Sequence, residues 1–500
     1  MISAMVFLPA LFALVLLLVP KSQTRMLKVL ALLGSAATFA LSLSFLSVAP
    51  NGIAQDSLAW IGGAVAAAYH VRVDGISLFF VLLTTLVAVP AVWAAWSYAD
   101  ASLLRGYLVL LLLFEWTLLG LFTAGDLLVF YIYWDLMLIP VFLTLVGLGG
   151  SPAARRAAWI YLIYNFAGGL VLLGGVVGVV LQTHTFEVLG HSYQLAPELQ
   201  RWLFAAFALA FLIKTPVFPL HAWMPPTYSQ TPTALVSVVS GVQSKAGLYG
   251  LIVFAMPLFP DAAHFFAPSL LVLAVCSILY GALVAMVQNN LKLLIGYSSL
   301  SHLGLVLLAL FSFNITSIPA GILMIVSHGV IAAALFLLVG FIEERTGSHD
   351  LSRFGGLAAG APRLAAFMLI AAMAALGLPG LSGFAGEFLI LIGAWQTQPV
   401  YSALALIAVV LSAAYMLRFF QGAMHGPLRL PGDSAAAHLA AQHALEHSPS
   451  PAFDLRPREF WLVVPLLAVI FFLGISPAWL NDRVPAQTGG APQAAAVERV

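Results

Sequence analysis

The chain has 500 residues, of which 62% are hydrophobic and only 8% are charged, and its mean hydropathy is +1.03. This composition excludes an ordinary soluble domain, and a formal net charge of +1 with scattered basic residues argues against a nucleic-acid partner. The single cysteine, Cys276, excludes an internal disulfide and a cysteine-ligated iron–sulfur cluster within this chain.

Apolar segments of the length that a bilayer requires, about 20 residues, follow one another along the chain. The sequence therefore predicts an all-α polytopic membrane protein with about 14 transmembrane helices. The predicted spans are 2–20, 26–48, 75–98, 105–122, 126–147, 157–181, 201–223, 231–256, 268–288, 292–312, 316–341, 363–394, 400–422 and 459–480. The first span lacks the basic leader and the small-residue cleavage site of a signal peptide.

The positions of the basic residues predict how these helices are oriented, because cytoplasmic loops carry an excess of lysine and arginine. With both termini outside, the inner side holds fourteen basic residues and the outer side four, and Lys214 and Lys245 lie within the membrane. The inner set is Lys21, Arg25, Lys28, Arg105, Arg155, Arg156, Lys292, Arg345, Arg353, Arg363, Arg418, Arg429, Arg456 and Arg458. The sequence thus predicts a multi-pass protein of a bacterial inner membrane with both termini outside.

Two of the predicted helices are interrupted, the seventh at KTPVFP (214–219) and the twelfth at GLPGLSGFAG (377–386). Because the interruptions lie five spans apart, corresponding helices run in opposite directions, which predicts two five-helix repeats related by inversion. The predicted organisation is an N-terminal three-helix segment (1–104), a first repeat (105–256), a second, inverted repeat (268–422), a cytoplasmic loop (424–458), and a last helix with a C-terminal tail (459–500).

The stretch from 211 to 250 places Lys214 and Lys245 inside long apolar runs. Charged residues at bilayer depth are costly and usually mark an ion pathway. Pro216 and Pro219 follow Lys214, and each removes a backbone donor, so the helix is predicted to break beside this lysine. A broken helix at this depth is tolerated only where it is buried in protein or lines a wet cavity. The alternative, two lysines snorkelling from helix ends, fits poorly with the apolar sequence on both sides of Lys245.

Seven acidic, lysine and histidine residues lie well inside the predicted spans, away from their ends. Their types alternate between carboxylates, lysines and histidines, which is the pattern expected of a chain of groups that exchange protons. The candidate site residues are Glu115, Asp135, Lys214, Lys245, His302, His328 and Glu387. Three structural alternatives remain: Asp135 and Lys214 as a static ion pair, His302 and His328 as satisfied core histidines, and Glu115 as a packing partner.

Six segments of this sequence resemble the antiporter-like subunits of respiratory NADH–quinone oxidoreductase (complex I), typified by bacterial subunit M and mitochondrial subunit four. The resemblance runs in one order from about residue 70 to residue 422. The segments are DGISLFFVLLTTL (74–86), WDLMLIPVFL (134–143), KTPVFPLHAWMPPTYSQTPTA (214–234), LLIGYSSLSHLGLVLL (293–308), SHGVIAAALFLLVG (327–340) and LGLPGLSGFAGEFLIL (376–391).

The resemblance implies a proton channel that is driven indirectly by quinone reduction in distant subunits. By position, Lys214 matches the family's pump lysine and Asp135 its ion-pair partner, although the family usually has glutamate there. Lys245 matches the central lysine, and Glu387 matches the exit-side glutamate. The linking histidines are matched by His302 and His328. The resemblance also implies that the flavin mononucleotide, iron–sulfur clusters and quinone belong to partner subunits, and that further antiporter-like subunits are among those partners.

Two other functions are compatible with this pattern. One is a subunit of a related sodium–proton antiporter or membrane-bound hydrogenase, and the other is a structural spacer that does not pump. This chain has a titratable residue at every position that matches the family's proton relay, which argues against the structural spacer. Separately, His438, His443 and His447 with Glu446 have the residue types of a metal site, but a solvated loop is the favoured interpretation of that segment.

Overall fold

A computed structural model describes residues 1–47, 52–61, 67–97, 101–189, 193, 195–429 and 454–484 of the chain. The structure is mostly helical. Its first half contains α1 (Ile2–Leu18), α2 (Thr24–Leu43), β1 (Ala54–Ile61), β2 (Ala67–Val73), α3 (Ser77–Ala94), α4 (Ala101–Thr123), α5 (Leu127–Leu136), α6 (Leu138–Gly147), α7 (Pro152–Thr183), α8 (Pro197–Lys214), α9 (Met224–Gln230), α10 (Thr233–Gly241), α11 (Ala246–Gly250) and α12 (Met256–Leu258).

The second half continues with long helices and one further interruption. It contains α13 (Pro260–Val287), α14 (Leu291–Phe311), α15 (Ser317–Thr346), α16 (Pro362–Ala375), α17 (Ser382–Thr397), α18 (Pro399–Met424), α19 (Pro457–Ile475) and α20 (Ala478–Asn481). Within the described ranges, 11 helical segments are long and apolar enough to cross a membrane. Two of these, Thr233–Leu258 and Ser317–Thr346, are wholly buried over their most apolar window, so they form the centre of the molecule.

A two-stranded antiparallel sheet interrupts the otherwise helical chain, and the all-α prediction is wrong for this segment. Strands β1 and β2 pair from Ala54 opposite Val73 to Ile61 opposite Ala67, with an irregularity between Ala59 and Ile61. The cause is local, since the β2 stretch AAYHVRV is rich in β-branched and aromatic residues that favour strands. The segment is also too short and too polar to have registered as a membrane span.

The seventh predicted helix is broken where the prolines require it. Helix α8 ends at Lys214, and Pro216 and Pro219 lie in the irregular stretch before α9 begins. The break leaves helix carbonyls without their usual amide donors. One of them is satisfied because the indole N–H of Trp223 donates to the carbonyl oxygen of Ile213 at 2.8 Å. The break is therefore buried and hydrogen-bonded rather than frayed, and it holds Lys214 at a fixed depth.

The twelfth predicted helix is likewise broken, between α16 and α17. Two glycines in the connection have positive φ, +82° at Gly377 and +91° at Gly380, a backbone region that disfavours side chains with a Cβ atom. The Gly377 amide donates back to the carbonyl of Ala374, as in a helix C-terminus closed by a glycine. The α17 helix then begins at Ser382 and carries Glu387 in its second turn.

The eighth span is less regular than the sequence suggested. Between α10 and α11 lies a 3₁₀ turn, Gln243–Lys245, and a π-helical turn, Leu251–Ala255, follows α11. Such irregular turns inside a helix frequently occur at functional positions. Lys245 stands at the first of them, fully buried.

Candidate functional site

Lys245 lies at the centre of the molecule and is one of the most deeply buried charged residues. Its ammonium group donates to the carbonyl oxygen of Ser240 and, at 3.1 Å, to the hydroxyl of Ser244. The carbonyl belongs to the end of α10, where the 3₁₀ turn frees it from the regular helix pattern. Lys245 therefore has polar partners but no carboxylate in direct contact within the described residues.

Two histidines extend from Lys245 toward the second half of the chain. His328 on α15 and His302 on α14 are both buried, and their ring centroids lie 5.1 Å apart. Lys245 and His302 are each close enough to His328 to influence its charge. The Nδ1 atom of His328 makes no hydrogen bond with a described residue, so in the tautomer that carries its hydrogen on Nε2 this atom can accept a proton from a neighbour or from water.

The histidine pair ends at a carboxylate. His302 Nε2 lies 3.1 Å from Glu387 Oε1, and both side chains are about 4–5% exposed. On its other side, His302 Nδ1 is 3.5 Å from the hydroxyl of Ser298, which in turn lies 3.0 Å from the hydroxyl of Tyr415. The other carboxylate oxygen of Glu387, Oε2, lies close to Gly377 and occupies the space that a Cβ atom at residue 377 would need. The spatial order is thus Lys245, His328, His302 and Glu387, with the two histidines in the reverse of their order along the chain.

Lys214 occupies a separate pocket at the end of α8. Its side chain is 1% exposed, and its Nζ atom makes no hydrogen bond with any described residue. The ammonium lies over the indole ring of Trp134, 4.7 Å from the centroid. A cation over a desolvated indole is stabilised by the ring quadrupole by about 2 kcal/mol. The stacking keeps the lysine in the apolar interior in place of a direct carboxylate contact.

Asp135 is adjacent to Trp134 on α5 but is only half-buried. Its Oδ1 atom makes no hydrogen bond with a described residue. The carboxylate lies against Gly169 of α7, and the side chain of Tyr131 is nearby. No ion pair joins it to Lys214 among the described residues, although the two charges are close enough to interact. The structure therefore places the two residues as neighbours separated by more than a direct salt bridge.

Glu115 lies apart from the other candidates, on α4. It is 1% exposed, and neither of its carboxylate oxygens makes a hydrogen bond with a described residue. The side chain of Ser35 on α2 is close by. A buried carboxyl without a donor is more stable as the neutral acid, since the charged form has lost its hydration. Among the described residues, Glu115 makes no contact with Lys245, His328, His302 or Glu387.

Several polar residues that complete the site were not singled out from the sequence. They are Ser240 and Ser244 around Lys245, Ser298 and Tyr415 beside His302, and Trp134 under Lys214. Helical spacing offered a signal for one of them, since Ser298 lies four residues before His302 on α14 and so on the same face. The Tyr415 contact joins positions 117 residues apart, and no local pattern indicates it.

Within the described ranges, no group of three or more histidine, cysteine, aspartate or glutamate residues is arranged to hold a metal ion. The His438, His443, His447 and Glu446 segment lies outside the described residues.

Comparison with known proteins identifies a family for the chain. Residues 124–412 match the family model described as NADH:quinone oxidoreductase/Mrp antiporter, TM. The chain is 34% identical over 480 residues to NADH-ubiquinone oxidoreductase chain 4 of Chondrus crispus, covering 95% of this chain and 94% of that one. It is 32% identical over 489 residues to NADH-quinone oxidoreductase subunit M of Rickettsia prowazekii (strain Madrid E), covering 95% of each.

Solved structures show the same relationship. A chain of respiratory complex I from Thermus thermophilus with bound NADH superposes with a TM-score of 0.84 and 34% identity, covering 97% of this chain and 98% of that one. A chain of the Mrp complex from Dietzia sp. DQ12-45-1b superposes with a TM-score of 0.82 at 22% identity, covering 96% of each. The second match shows a shared fold alone.

Proposed function

Because the chain belongs to the NADH:quinone oxidoreductase/Mrp antiporter transmembrane family, we propose that it is a proton-translocating membrane subunit of a respiratory NADH–quinone oxidoreductase. The greater identity and full-length coverage of the complex I relatives favour this complex over an Mrp-type antiporter. The subunit's partners are then the other membrane subunits of that complex, including further antiporter-like subunits. We expect the flavin, the iron–sulfur clusters and the quinone to be bound by partner subunits.

The observation that carries the proposal is the buried series Lys245, His328, His302 and Glu387. His302 is within hydrogen-bond range of Glu387, the two imidazole rings lie 5.1 Å apart, a gap that one water can bridge, and Lys245 is close enough to His328 for their charges to interact. A protonated Lys245 gives a proton to His328, which passes it to His302, which gives it to Glu387. Imidazole suits the middle positions because one ring nitrogen accepts a proton while the other donates one.

Lys214 and Asp135 supply the step that loads Lys245. In an apolar pocket a lysine keeps its proton more readily when a carboxylate is near and releases it when that carboxylate moves away. Asp135 and Lys214 lie near each other without a salt bridge, and the Lys214 ammonium is stacked on the indole ring of Trp134. We infer that a movement of α5 relative to the broken end of α8 changes this separation and so decides when Lys214 donates toward Lys245.

The finer architecture is part of the same proposal. We place about 14 membrane spans in the chain, ten of which form two inverted five-helix repeats, with the breaks after Lys214 and at Gly377 in corresponding helices. The domain limits 1–104, 105–256, 268–422, 424–458 and 459–500 accompany this arrangement. Both termini face outward and the basic loops face the cytoplasm. In this orientation the inner ends of α10, α14 and α15 lie together on the cytoplasmic side.

Purification through this chain tests the proposal. The chain should co-purify with a complex that contains flavin and iron–sulfur clusters and oxidises NADH with a quinone. In liposomes that complex should generate a proton gradient that a protonophore abolishes and that does not require sodium. Recovery with hydrogenase subunits, or with small antiporter subunits and sodium-dependent exchange, would contradict it.

A further inference from the structure

A second cluster of charged residues lies at the inner ends of α10, α14 and α15. Glu343 is at its centre, with the ammonium of Lys292 at 2.7 Å from Oε2 and 3.1 Å from Oε1. The hydroxyl of Thr233 donates to Oε2 at 3.0 Å, and His349 Nδ1 lies 3.1 Å from Oε1. We name these four residues, Thr233, Lys292, Glu343 and His349, the inlet cluster. The predicted span 316–341 stopped short of Glu343, whereas α15 continues to Thr346 and buries much of this side chain.

The inlet cluster bridges solvent and the interior. The side chains of Glu343 and His349 are 30% and 31% exposed, whereas that of Lys292 is 4% exposed. A cavity of about 270 Å³ adjoins the cluster, lined by Glu343 and Thr233 together with Glu344, Ser97 and Tyr107. One water takes about 30 Å³ of liquid volume, so this space holds several molecules beside polar groups that bind them. Water therefore reaches the carboxylate of Glu343.

A stripe of buried hydroxyls leads inward from Thr233 to Lys245. Ser237, Ser240 and Ser244 follow at intervals of three and four residues, and all three are fully buried. Residues at that spacing share one helix face. Ser240 lies 3.3 Å from the hydroxyl of Ser299 on α14, and Ser244 contacts the Lys245 ammonium at 3.1 Å. In a span otherwise lined by leucine and valine, one face therefore carries groups that both donate and accept protons.

A tyrosine hydroxyl stands beside the inner part of this stripe. Tyr228 on α9 is fully buried, and its hydroxyl has no hydrogen-bond partner within the described residues. It lies close to the side chains of Ser240 and Ser244. A buried hydroxyl without a partner is costly unless water or a rearranged neighbour satisfies it. The Tyr228 hydroxyl therefore adds a further polar group beside Ser240 and Ser244, at the inner end of the stripe.

We propose that the inlet cluster is a cytoplasmic proton-uptake site that leads to Lys245 separately from the transfer through Lys214, with Glu343 as the group that binds the incoming proton. The proposal rests on the proposed function of the chain. Glu343 takes a proton from cavity water and releases it through Thr233 to the serine stripe, and a proton arriving at Ser244 passes to neutral Lys245. No bond other than those to the moving proton changes. Lys292 positions the carboxylate and, as a fixed positive charge, keeps the proton from remaining there.

Other charges around Glu343 belong to a different set of contacts. Glu344 lies near Ser97 and Arg458, and Arg345 forms a buried ion pair with Glu459 at 2.5 Å that fastens α15 to α19. The Asp350 side chain is 41% exposed and pairs with Arg353; its charge also acts on His349, but among the described residues it does not contact Glu343. These groups shape the local field, but within the described residues only Lys292, Thr233 and His349 hydrogen-bond the Glu343 carboxylate.

The test compares Glu343→Gln with wild type over a range of cytoplasmic-side pH, using NADH-driven proton uptake by the purified complex in liposomes. Glutamine keeps the acceptor for Thr233 but binds no proton. Uptake directly from bulk water is proportional to proton concentration, so pumping by Glu343→Gln should fall roughly tenfold for each pH unit where that step limits the rate. Wild type should fall less steeply, and Glu343→Asp should restore its profile.

Two controls make the result specific. Asp350→Asn removes a negative charge on the same face outside the cluster and should leave the profile unchanged. The double variant Lys292→Met with Glu343→Met replaces the ion pair by apolar side chains of similar length. If the pair were only an anchor between α14 and α15, this double variant would pump with the wild-type profile, and the proposal would be overturned. The proposal would also be overturned if Glu343→Gln lowered the pumping rate by the same factor at every pH.

Failure of the inlet proposal is distinguishable from failure of the proposed function. If the chain does not conduct protons through Lys245, then Lys245→Ala pumps like wild type. If the chain conducts but Glu343 is not the uptake group, then Lys245→Ala lowers the number of protons pumped per NADH while Glu343→Gln keeps the wild-type pH profile.

Discussion

Gly377→Ala provides a sharp test of the contact between His302 and Glu387. A Cβ atom at residue 377 would lie against Glu387 Oε2 and 3.3 Å from the Cδ atom of the carboxylate. Because the carboxylate is the end of a flexible side chain, we expect it to move rather than the backbone. Its other oxygen is 3.1 Å from His302 Nε2, near the upper limit for a strong hydrogen bond, so a shift of about 1 Å breaks the contact.

The expected cost has two parts. The left-handed backbone at Gly377 makes alanine unfavourable by about 1–2 kcal/mol, which lowers stability without affecting the relay. A hydrogen bond to a charged group contributes about 1.5–3 kcal/mol, so its loss changes the proton-transfer equilibrium on the order of 10- to 100-fold. We therefore expect the variant complex to assemble in reduced amount and to pump at a small fraction of the wild-type rate per assembled complex.

Gly380→Ala is the matched control. Gly380 has a similarly positive φ of +91°, but a Cβ atom there meets nothing within 4 Å. It therefore carries the same backbone penalty without touching Glu387. The assay is NADH-driven proton uptake by vesicles, normalised to the amount of complex on a native gel. If Gly377→Ala and Gly380→Ala pump equally per complex, the His302–Glu387 contact does not carry the proton.

Three further predictions concern other parts of the chain. Asp135→Glu should be tolerated, whereas Asp135→Asn and Lys214→Ala should each cripple pumping; normal pumping by the double variant Asp135→Asn with Lys214→Met would mean that the pair is only structural. Burial raises the pKa of Asp126, at the outer end of α5, from its ordinary 3.8 to about 6. Between these two pH values the folded chain therefore binds more protons than the unfolded chain, and its stability falls as the pH rises. Asp126→Asn keeps an oxygen that accepts from the Val129 amide, and it should reduce this loss of stability by up to about 3 kcal/mol. Thermal unfolding of the complex from about pH 4 to pH 7 measures the effect, and an unchanged dependence of stability on pH would contradict the prediction. With Cys276 replaced by serine, a cysteine at Ser151 should react with an impermeant reagent only in inverted vesicles, and labelling in intact cells would reverse the proposed orientation.

The helices and their two breaks were predictable because they depend on local chemistry. Apolar runs set the span positions, the prolines after Lys214 end α8, and the glycines around 377–380 end α16. Candidate residues were also predictable, since a charge in so apolar a chain stands out by itself. The family resemblance implied that His302 and His328 link Lys245 to Glu387, but it did not give the order of the two histidines, which comes from the structure.

Other features depend on contacts that no local pattern encodes. The Lys292–Glu343 pair joins residues 51 positions apart, and its burial depends on α15 running a turn further than its apolar run. The separation of Asp135 from Lys214 depends on Trp134 filling the space beneath the ammonium. The hairpin of β1 and β2 was missed because its strands are short and lie between helices in a segment without a membrane-length pattern.

The proton-to-electron ratio of the complex carrying Lys245→Ala is the most direct test of the central claim. Lys245 links the Lys214 side to the histidines, and without it the nearest described groups cannot relay a charge through the apolar span. We predict that the purified variant in liposomes takes up fewer protons per NADH oxidised than wild type, and that Glu387→Ala does the same. Lys21→Ala, which removes an exposed lysine at the membrane surface, should keep the wild-type ratio. A wild-type ratio in Lys245→Ala at wild-type turnover would contradict the account.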